Sequence, residues 1–184
     1  VITGKEAVKI PSFLDVELNF SANRVLYDDL VLNNAKGTLV INNEVATLRN
    51  ISAGIFGGNV GLNGNVSTQG VQPTFDLVLN LISIDIAQSF NGLEMLQGLA
   101  PIAKALEGKM QTAINLKGFL NEDLTPQLNT IAGDALAQLL TAEVNPEQLA
   151  LLARLDEQLG FINLKDLDLS NLKGYLKFNN GNVE

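Results

Sequence analysis

The chain contains no cysteine, no histidine and no tryptophan. Without cysteine, neither a disulfide framework nor a thiolate metal site can form. Without histidine, Ser–His and Cys–His catalytic pairs are excluded, together with the commonest general base near neutral pH. Only chemistry based on carboxylates or lysine stays open, so the composition favours a protein that is not an enzyme.

Positive charge is also scarce. The 184 residues include 12 Lys and Arg against 20 Asp and Glu, which gives a net charge of −8 at pH 7. Binding to nucleic acid depends on basic side chains that neutralise phosphates, so nucleic acid is not an expected partner. The same balance argues against simple electrostatic attraction to an anionic membrane surface.

Long apolar runs are missing too. No uninterrupted run approaches the ~18 residues of a membrane-spanning helix, yet 46% of the residues are hydrophobic and the mean hydropathy is +0.18. The apolar residues are therefore spread over amphipathic elements. Some of these are apolar on both faces, as in a sheet that is covered on one side and has a second role on the other.

Alternation of apolar and polar residues is the commonest pattern that is present. In residues 13–20, Leu14, Val16, Leu18 and Phe20 share one face of a half-buried strand. Similar segments follow at short intervals, which is typical of an antiparallel meander. The predicted strands are residues 13–20, 24–27, 30–32, 37–41, 45–51, 54–56, 60–66, 75–82 and 110–120, with turns at 21–23, 33–34, 42–43 and 57–59.

Two segments follow a helical period instead, at about residues 84–107 and 146–159. Ser83 or Asp85 is placed to cap the first helical segment. A capping Asn followed by Pro146 at the first helical position opens the second. Both segments therefore predict helices.

Residues 133–144 fit either a helix or a strand, and the strand-like end of this segment favours a strand. The predicted fold class is thus α+β: a mainly antiparallel, curved β-sheet meander with two helical segments. We expect one β-rich domain over residues 1–184. Because the first residue is not Met and a new strand starts just before Glu184, we expect this domain to be a fragment of a longer protein.

A sequence segment near the start of the chain is repeated near its end. Residues 29–43 and residues 166–180 have the same amino acid at nine of fifteen positions, at one constant offset of 137. Both phrases contain Lys-Gly followed by alternation and a final Asn-Asn pair. This internal repeat indicates a scaffold built by duplicating β-units.

Acidic clusters are the only candidates for chemistry. A pair of carboxylates can act as acid and base or hold Ca²⁺, but acidic residues beside turns are usually solvated, and no metal site is expected. The glycines around Gly57 lack the spacing of a phosphate-binding loop, so no cofactor is expected either. The acidic clusters are Asp28-Asp29, Glu122-Asp123 and Asp166 with Asp168.

Apolar stripes on the predicted strands are the more informative feature. They fit the core of a β-sandwich, and they equally fit a curved sheet whose concave face holds acyl chains. On the second interpretation the lipid-contacting residues are Leu39, Ile41, Phe75, Leu77, Leu79, Leu81, Ile114 and Leu116.

Several phrases resemble the C-terminal region of AsmA-family proteins. That family often has a phrase FGG-x-apolar-x-apolar-x-G, then an alternating strand and a short helical stretch that ends before L-x-G-x-apolar. The resemblance covers most of the chain, from about Phe13 to its end. The matching residues are 56–64 and 106–110, and Leu116-Lys117-Gly118, Glu122-Asp123-Leu124 and residues 174–181 fit the same style.

The resemblance implies a periplasmic protein of the Gram-negative envelope, anchored in the inner membrane by an N-terminal helix outside this sequence. The family is associated with outer-membrane biogenesis, and its larger relatives resemble bridges that pass phospholipid along a hydrophobic trough. No catalytic residue comes with it. The expected partners are phospholipid acyl chains and other β-repeats of the parent chain.

Two further hypotheses remain open from the sequence. In one, the chain is a β-repeat scaffold or protein-interaction module that uses its exposed sheet edges and binds no lipid. In the other, it is a hydrolase whose two carboxylates converge at ~5–10 Å.

Overall fold

The computed structural model describes residues 8–27, 29–92, 106–144 and 171–183. These residues form nine strands and one α-helix, α1, which lies between β5 and β6. The strands are β1 (Val16–Tyr27), β2 (Leu30–Asn42), β3 (Val45–Ile55), β4 (Gly58–Ser67), β5 (Thr74–Asp85), β6 (Leu106–Phe119), β7 (Ala132–Val144), β8 (Lys173–Asn179) and β9 (Asn182–Val183), and α1 is Ile86–Gly92.

All nine strands belong to one open antiparallel sheet, in which the spatial order is the order along the chain. Three of the hairpins have two-residue turns with positive φ at both residues, as a type I′ turn requires. The φ values are 48° and 61° at Asn43 and Glu44, 49° and 67° at Phe56 and Gly57, and 49° and 78° at Asn180 and Gly181. The predicted meander is therefore confirmed, and the turn predicted at residues 42–43 lies one residue later, at Asn43 and Glu44.

Two predicted turns are wrong. Residues 21–23 lie inside the continuous strand β1, where Ala22 pairs with Ala35 of β2. Residues 33–34 lie inside β2, and Asn34 uses its positive φ of 51° in a bulge instead of a hairpin. An Asn-Asn pair favours a residue in the left-handed backbone conformation. Whether the chain reverses at that residue depends on how the residues on both sides of it pair with neighbouring strands.

The first predicted helical segment, residues 84–107, is confirmed in part where it is described. Ile84 and Asp85 still belong to β5, and α1 follows directly. The first turn of α1 is capped by Asp85, whose Oδ1 accepts a hydrogen bond from the Gln88 backbone at 2.8 Å. At the far end of the segment, Leu106 and Glu107 already belong to β6, where they pair with β7. Residues 93–105 and the second predicted helix, 146–159, lie outside the described residues. Residues 133–144 form strand β7, as predicted.

The strand register places apolar residues in rows on one face of the sheet. One row crosses eight strands through direct partners: Leu18, Leu39, Leu48, Gly64, Leu77, Leu116, Gly133 and Phe178. Neighbours along this row are separated by one inter-strand spacing, about 4.8 Å. The opposite face carries mainly polar residues.

Two clusters of buried side chains cover parts of the apolar face. The helix-side cluster includes Ile84 and Ile86, which are 0% and 1% exposed, together with Leu81 and Met110. The loop-side cluster forms where the β6–β7 loop folds back over β5 to β8, and its buried members are Phe75, Leu120, Ile131, Ala135 and Phe178. The core is thus divided between two ends of one sheet face.

Gly64 sits in the middle of the apolar row because the neighbouring strand leaves no room for a side chain. Its φ is +144°, and a Cβ built there would lie 2.1 Å from the Asp76 carbonyl oxygen on β5. In the same strand, a Cβ at Gly61 would come no closer than 3.9 Å to the Asn80 carbonyl oxygen. Two glycines of β4 therefore have different structural roles.

This difference predicts that Gly64→Ala lowers the free energy of unfolding by about 1–3 kcal/mol, through backbone strain and overpacking. Gly61→Ala is the matched control, and we expect it to change stability by less than about 1 kcal/mol in either direction. Urea unfolding followed by circular dichroism measures both. Equal losses for the two variants would contradict the close packing of β4 on β5 at Gly64.

Candidate functional site

The eight residues predicted to contact lipid all lie on the apolar face. Leu39, Leu77 and Leu116 belong to the row described above. Ile41 and Phe75 are connected by direct partners through β3 and β4, and Leu79 pairs with Ile114. Leu81 lies two residues beyond Leu79 on the same face of β5. The sheet register therefore assembles the set that alternation alone suggested.

These eight residues differ in how far the protein itself covers them. Phe75 and Leu81 are only 6% and 5% exposed and are members of the two core clusters. The next four are half-buried and pack against the clusters at their margins: Leu77, Leu79, Ile114 and Leu116. Leu39 and Ile41 are half-buried and belong to neither cluster.

Leu39 and Ile41 form part of a larger open area on β1 to β4. Val16 pairs with Ile41, and Leu18 pairs with Leu39. Val16 and Leu18 are 40% and 50% exposed. We call this area the apolar patch, and its residues are Val16, Leu18, Leu39, Ile41, Leu48 and Leu62, none of which belongs to either cluster among the described residues.

Four members of the patch are absent from the sequence-based set. Val16 and Leu18 follow a clear alternation, but nothing in the sequence shows that their strand is the edge of the sheet. Leu48 joins the patch because it pairs with Leu39, and Leu62 because it lies on the same face two residues from Gly64. Register between strands is the information that local patterns lack.

The segment before β1 runs along the end of the sheet beside the patch. The Val8 backbone donates to the Glu122 carbonyl at 2.8 Å, and the Ile10 backbone donates to Thr68 Oγ1 at 3.0 Å. Thr68 is fully buried, and its backbone N–H in turn donates to the Glu44 carbonyl at 2.9 Å. These hydrogen bonds hold the residues that precede Phe13 in the chain. Phe13 itself lies just before β1 and is 86% exposed. The patch therefore has a fixed border at this end.

The acidic clusters lie in two connections of the sheet. Asp29 lies beside the β1–β2 connection, and Glu122 and Asp123 belong to the β6–β7 loop. The Tyr27 hydroxyl donates to the Leu124 carbonyl at 3.4 Å, so the end of β1 approaches this loop. Asp123 accepts hydrogen bonds from Thr125 within its own loop. Asp28, Asp166 and Asp168 lie outside the described residues.

The part of the chain that the structure describes has neither a metal-binding cluster nor a membrane-spanning helix. No group of three acidic side chains there is close enough to hold a metal ion. None of the helices described is long and apolar enough to cross a membrane.

Comparison with protein-family models, with curated proteins and with solved structures finds no match to this chain. The apolar patch is thus the candidate site on the strength of its geometry alone.

Truncating a core residue and truncating a patch residue should lower the free energy of unfolding by different amounts. Leu81→Ala removes a buried side chain from the helix-side cluster, and we expect a loss of about 2–5 kcal/mol. Leu39→Ala removes a half-buried side chain that belongs to neither cluster, and we expect a loss of about 1 kcal/mol. Chemical unfolding of both variants tests the distinction. If Leu39→Ala costs as much as Leu81→Ala, the patch is part of the core.

Proposed function

We propose that this chain is a non-catalytic periplasmic domain that contacts lipid in outer-membrane biogenesis, with the apolar patch as the surface that takes up acyl chains. The observation that carries the proposal is the alignment of six apolar side chains on four adjacent strands, of which Val16 and Leu18 are exposed and the other four are half-buried. A soluble monomer rarely leaves such a contiguous area uncovered unless it binds something.

The dimensions of the patch suit an extended hydrocarbon chain. Across four strands, three inter-strand spacings of about 4.8 Å give a length of roughly 14 Å. Along β1 and β2 the patch is two residues of one face deep, about 7 Å. An acyl chain lying across the strands meets Leu18, Leu39 and Leu48 in succession, while its headgroup stays in water at the edge of β1.

The binding free energy that the patch can supply is better suited to the transfer of lipid than to its tight storage. Completing the burial of a half-exposed Val or Leu side chain contributes about 1 kcal/mol. The four half-buried members have less surface left to cover, so the six together contribute less than about 6 kcal/mol before any cost. Immobilising the ligand consumes part of this gain. The resulting binding is weak and reversible, as a passive conduit requires.

The proposal includes a sheet that is curved around the patch. Bulges bend strands and increase their local twist, and the register shifts at three places where a residue has positive φ: Asn34, Asn50 and Ser83. The helix that the sequence predicts at residues 146–159 would be the second helical segment of an α+β domain. In the parent protein, an inner-membrane anchor and further β-repeats lie beyond this sequence, as in the AsmA family that it resembles.

Lipid binding is tested with protein purified without detergent. We expect native mass spectrometry to detect bound phospholipid, and a fluorescent phospholipid to bind with saturation. Leu18→Gln places an amide in the patch and should weaken this binding by about fivefold to tenfold. Absence of lipid in both measurements would refute the proposal for this domain.

Leu136→Gln is the matched control. Leu136 is 48% exposed, close to the 50% of Leu18, but its partner Ala113 places it on the polar face of the sheet. We expect unchanged lipid binding in this variant. Equal weakening by both substitutions would show that the fluorescent lipid adsorbs without using the patch.

A further inference from the structure

Two apolar side chains project from the end of the sheet at which β1 begins. Val71 and Phe13 are 105% and 86% exposed, and no other large hydrophobic side chain in the described part of the chain is more than 65% exposed. Val71 lies in the β4–β5 loop, and Phe13 lies in a turn just before β1. Strand pairing places the start of β1, the end of β4 and the start of β5 in one row. Both side chains therefore lie beyond the same end of the sheet, and we call them the two tips.

The loop and the turn that carry the tips are joined at Thr68. The Thr68 hydroxyl accepts a hydrogen bond from the Ile10 backbone at 3.0 Å and donates one to the Glu44 carbonyl at 3.3 Å. Phe13 follows Ile10 by three residues, and Val71 follows Thr68 by three residues. The Cα atom of each tip therefore lies within about 11 Å of this junction. The tips belong to one area of the surface.

Hydrogen bonds hold the backbone at both tips. In the β4–β5 loop, Pro73 is buried, and its carbonyl accepts a hydrogen bond from the Leu120 backbone at 2.8 Å. In the turn, the Leu14 backbone donates to the Pro11 carbonyl at 3.1 Å, which makes Phe13 the third of four turn residues. A backbone that is already ordered loses little entropy when its side chain is buried against a partner.

Charge identifies the kind of partner. Residues 10–14 and 68–73 contain no Asp, Glu, Lys or Arg. Insertion of the tips into a lipid layer would therefore dehydrate no charged side chain of these two segments. The charged residues that flank the turn are Lys9 and Asp15, which have opposite signs. Attraction to anionic lipid needs clustered basic residues, so a zwitterionic lipid surface fits these segments better.

We propose that this end of the sheet docks on a zwitterionic phospholipid bilayer, with Phe13 and Val71 inserted at the boundary between headgroups and acyl chains. Aromatic and aliphatic side chains bind at this depth through the apolar area that they bury. The apolar patch begins at the same end, since Val16 is the first residue of β1 and pairs with Ile41. The inference rests on the proposed function, because docking brings the patch next to the acyl chains that it takes up.

The absence of tryptophan from the chain allows each tip to be probed separately. Phe13→Trp and Val71→Trp each introduce a single indole. With vesicles of phosphatidylcholine and phosphatidylethanolamine, both should show blue-shifted emission and quenching by lipids brominated on the acyl chains. Ile82→Trp is the control, because Ile82 is 55% exposed and lies roughly 26 Å along β5 from its first residue. Its emission should not change, and an equal response at all three positions would overturn the proposal.

Vesicle flotation measures the contribution of the tips to binding. Phe13→Ser combined with Val71→Ser should lower the vesicle partition coefficient by about tenfold. Ile82→Ser combined with Leu136→Ser removes two exposed apolar side chains from the polar face and should leave the coefficient unchanged. Thermal unfolding checks the fold of both variants. Lack of flotation by the unchanged protein, or binding that needs anionic lipid and disappears at high salt, would overturn the proposal.

The double tip variant also separates docking from lipid uptake by the patch. It should still bind the fluorescent phospholipid, because the patch is unchanged. Flotation of a protein that binds no fluorescent phospholipid would support docking and refute the patch as the lipid site. Self-association that the double tip variant abolishes, without any vesicle binding, would mean that the tips contact protein, and would overturn the proposal.

Discussion

The register of the backbone hydrogen-bond ladder is the constraint on which this structure depends. Side chains alternate with a period of two, so a strand that slipped by one residue would move its apolar set to the polar face. Two-residue hairpins with positive φ at both turn residues fix the register at three connections. Once these are fixed, leucines that are far apart in sequence form one continuous row.

A single sheet cannot bury one of its faces without a second layer of side chains packed on that face. In this protein the second layer consists of two separate clusters. The helix-side cluster covers the end at which α1 follows β5, and the loop-side cluster covers β5 to β8 at the other end. The strands β1 to β4 carry the same apolar pattern as β5 to β8 but lack the equivalent of the β6–β7 loop. The apolar patch is therefore the area that remains between the two covers, and its place follows from the unequal length of the connections.

Much of the fold can be predicted from the sequence, and the failures have physical causes. Alternation identifies most strands, and Asn42-Asn43 and Gly57 identify hairpins. The pair Asn33-Asn34 has the same local signal but lies within a strand, because β1 and β3 continue to pair with the residues on both sides of it. Leu106 fits a helical period, yet its pairing with Val144 makes it a strand residue. For the candidate site, alternation places Leu39 and Leu81 on equivalent faces. Only tertiary packing shows that Leu81 is core and Leu39 is open.

Glycine at position 64 connects the tight packing of the sheet to the candidate site. In the row that crosses the sheet, Leu18, Leu39 and Leu48 lie on one side of Gly64, whereas Leu77 and Leu116 lie on the other. The second pair packs against the loop-side cluster, and the first three do not. Because a side chain at position 64 would collide with the backbone of β5, no side chain of β4 bridges the two groups at this level. The residue that permits close approach of β4 and β5 thus also marks the boundary between the covered core and the open patch.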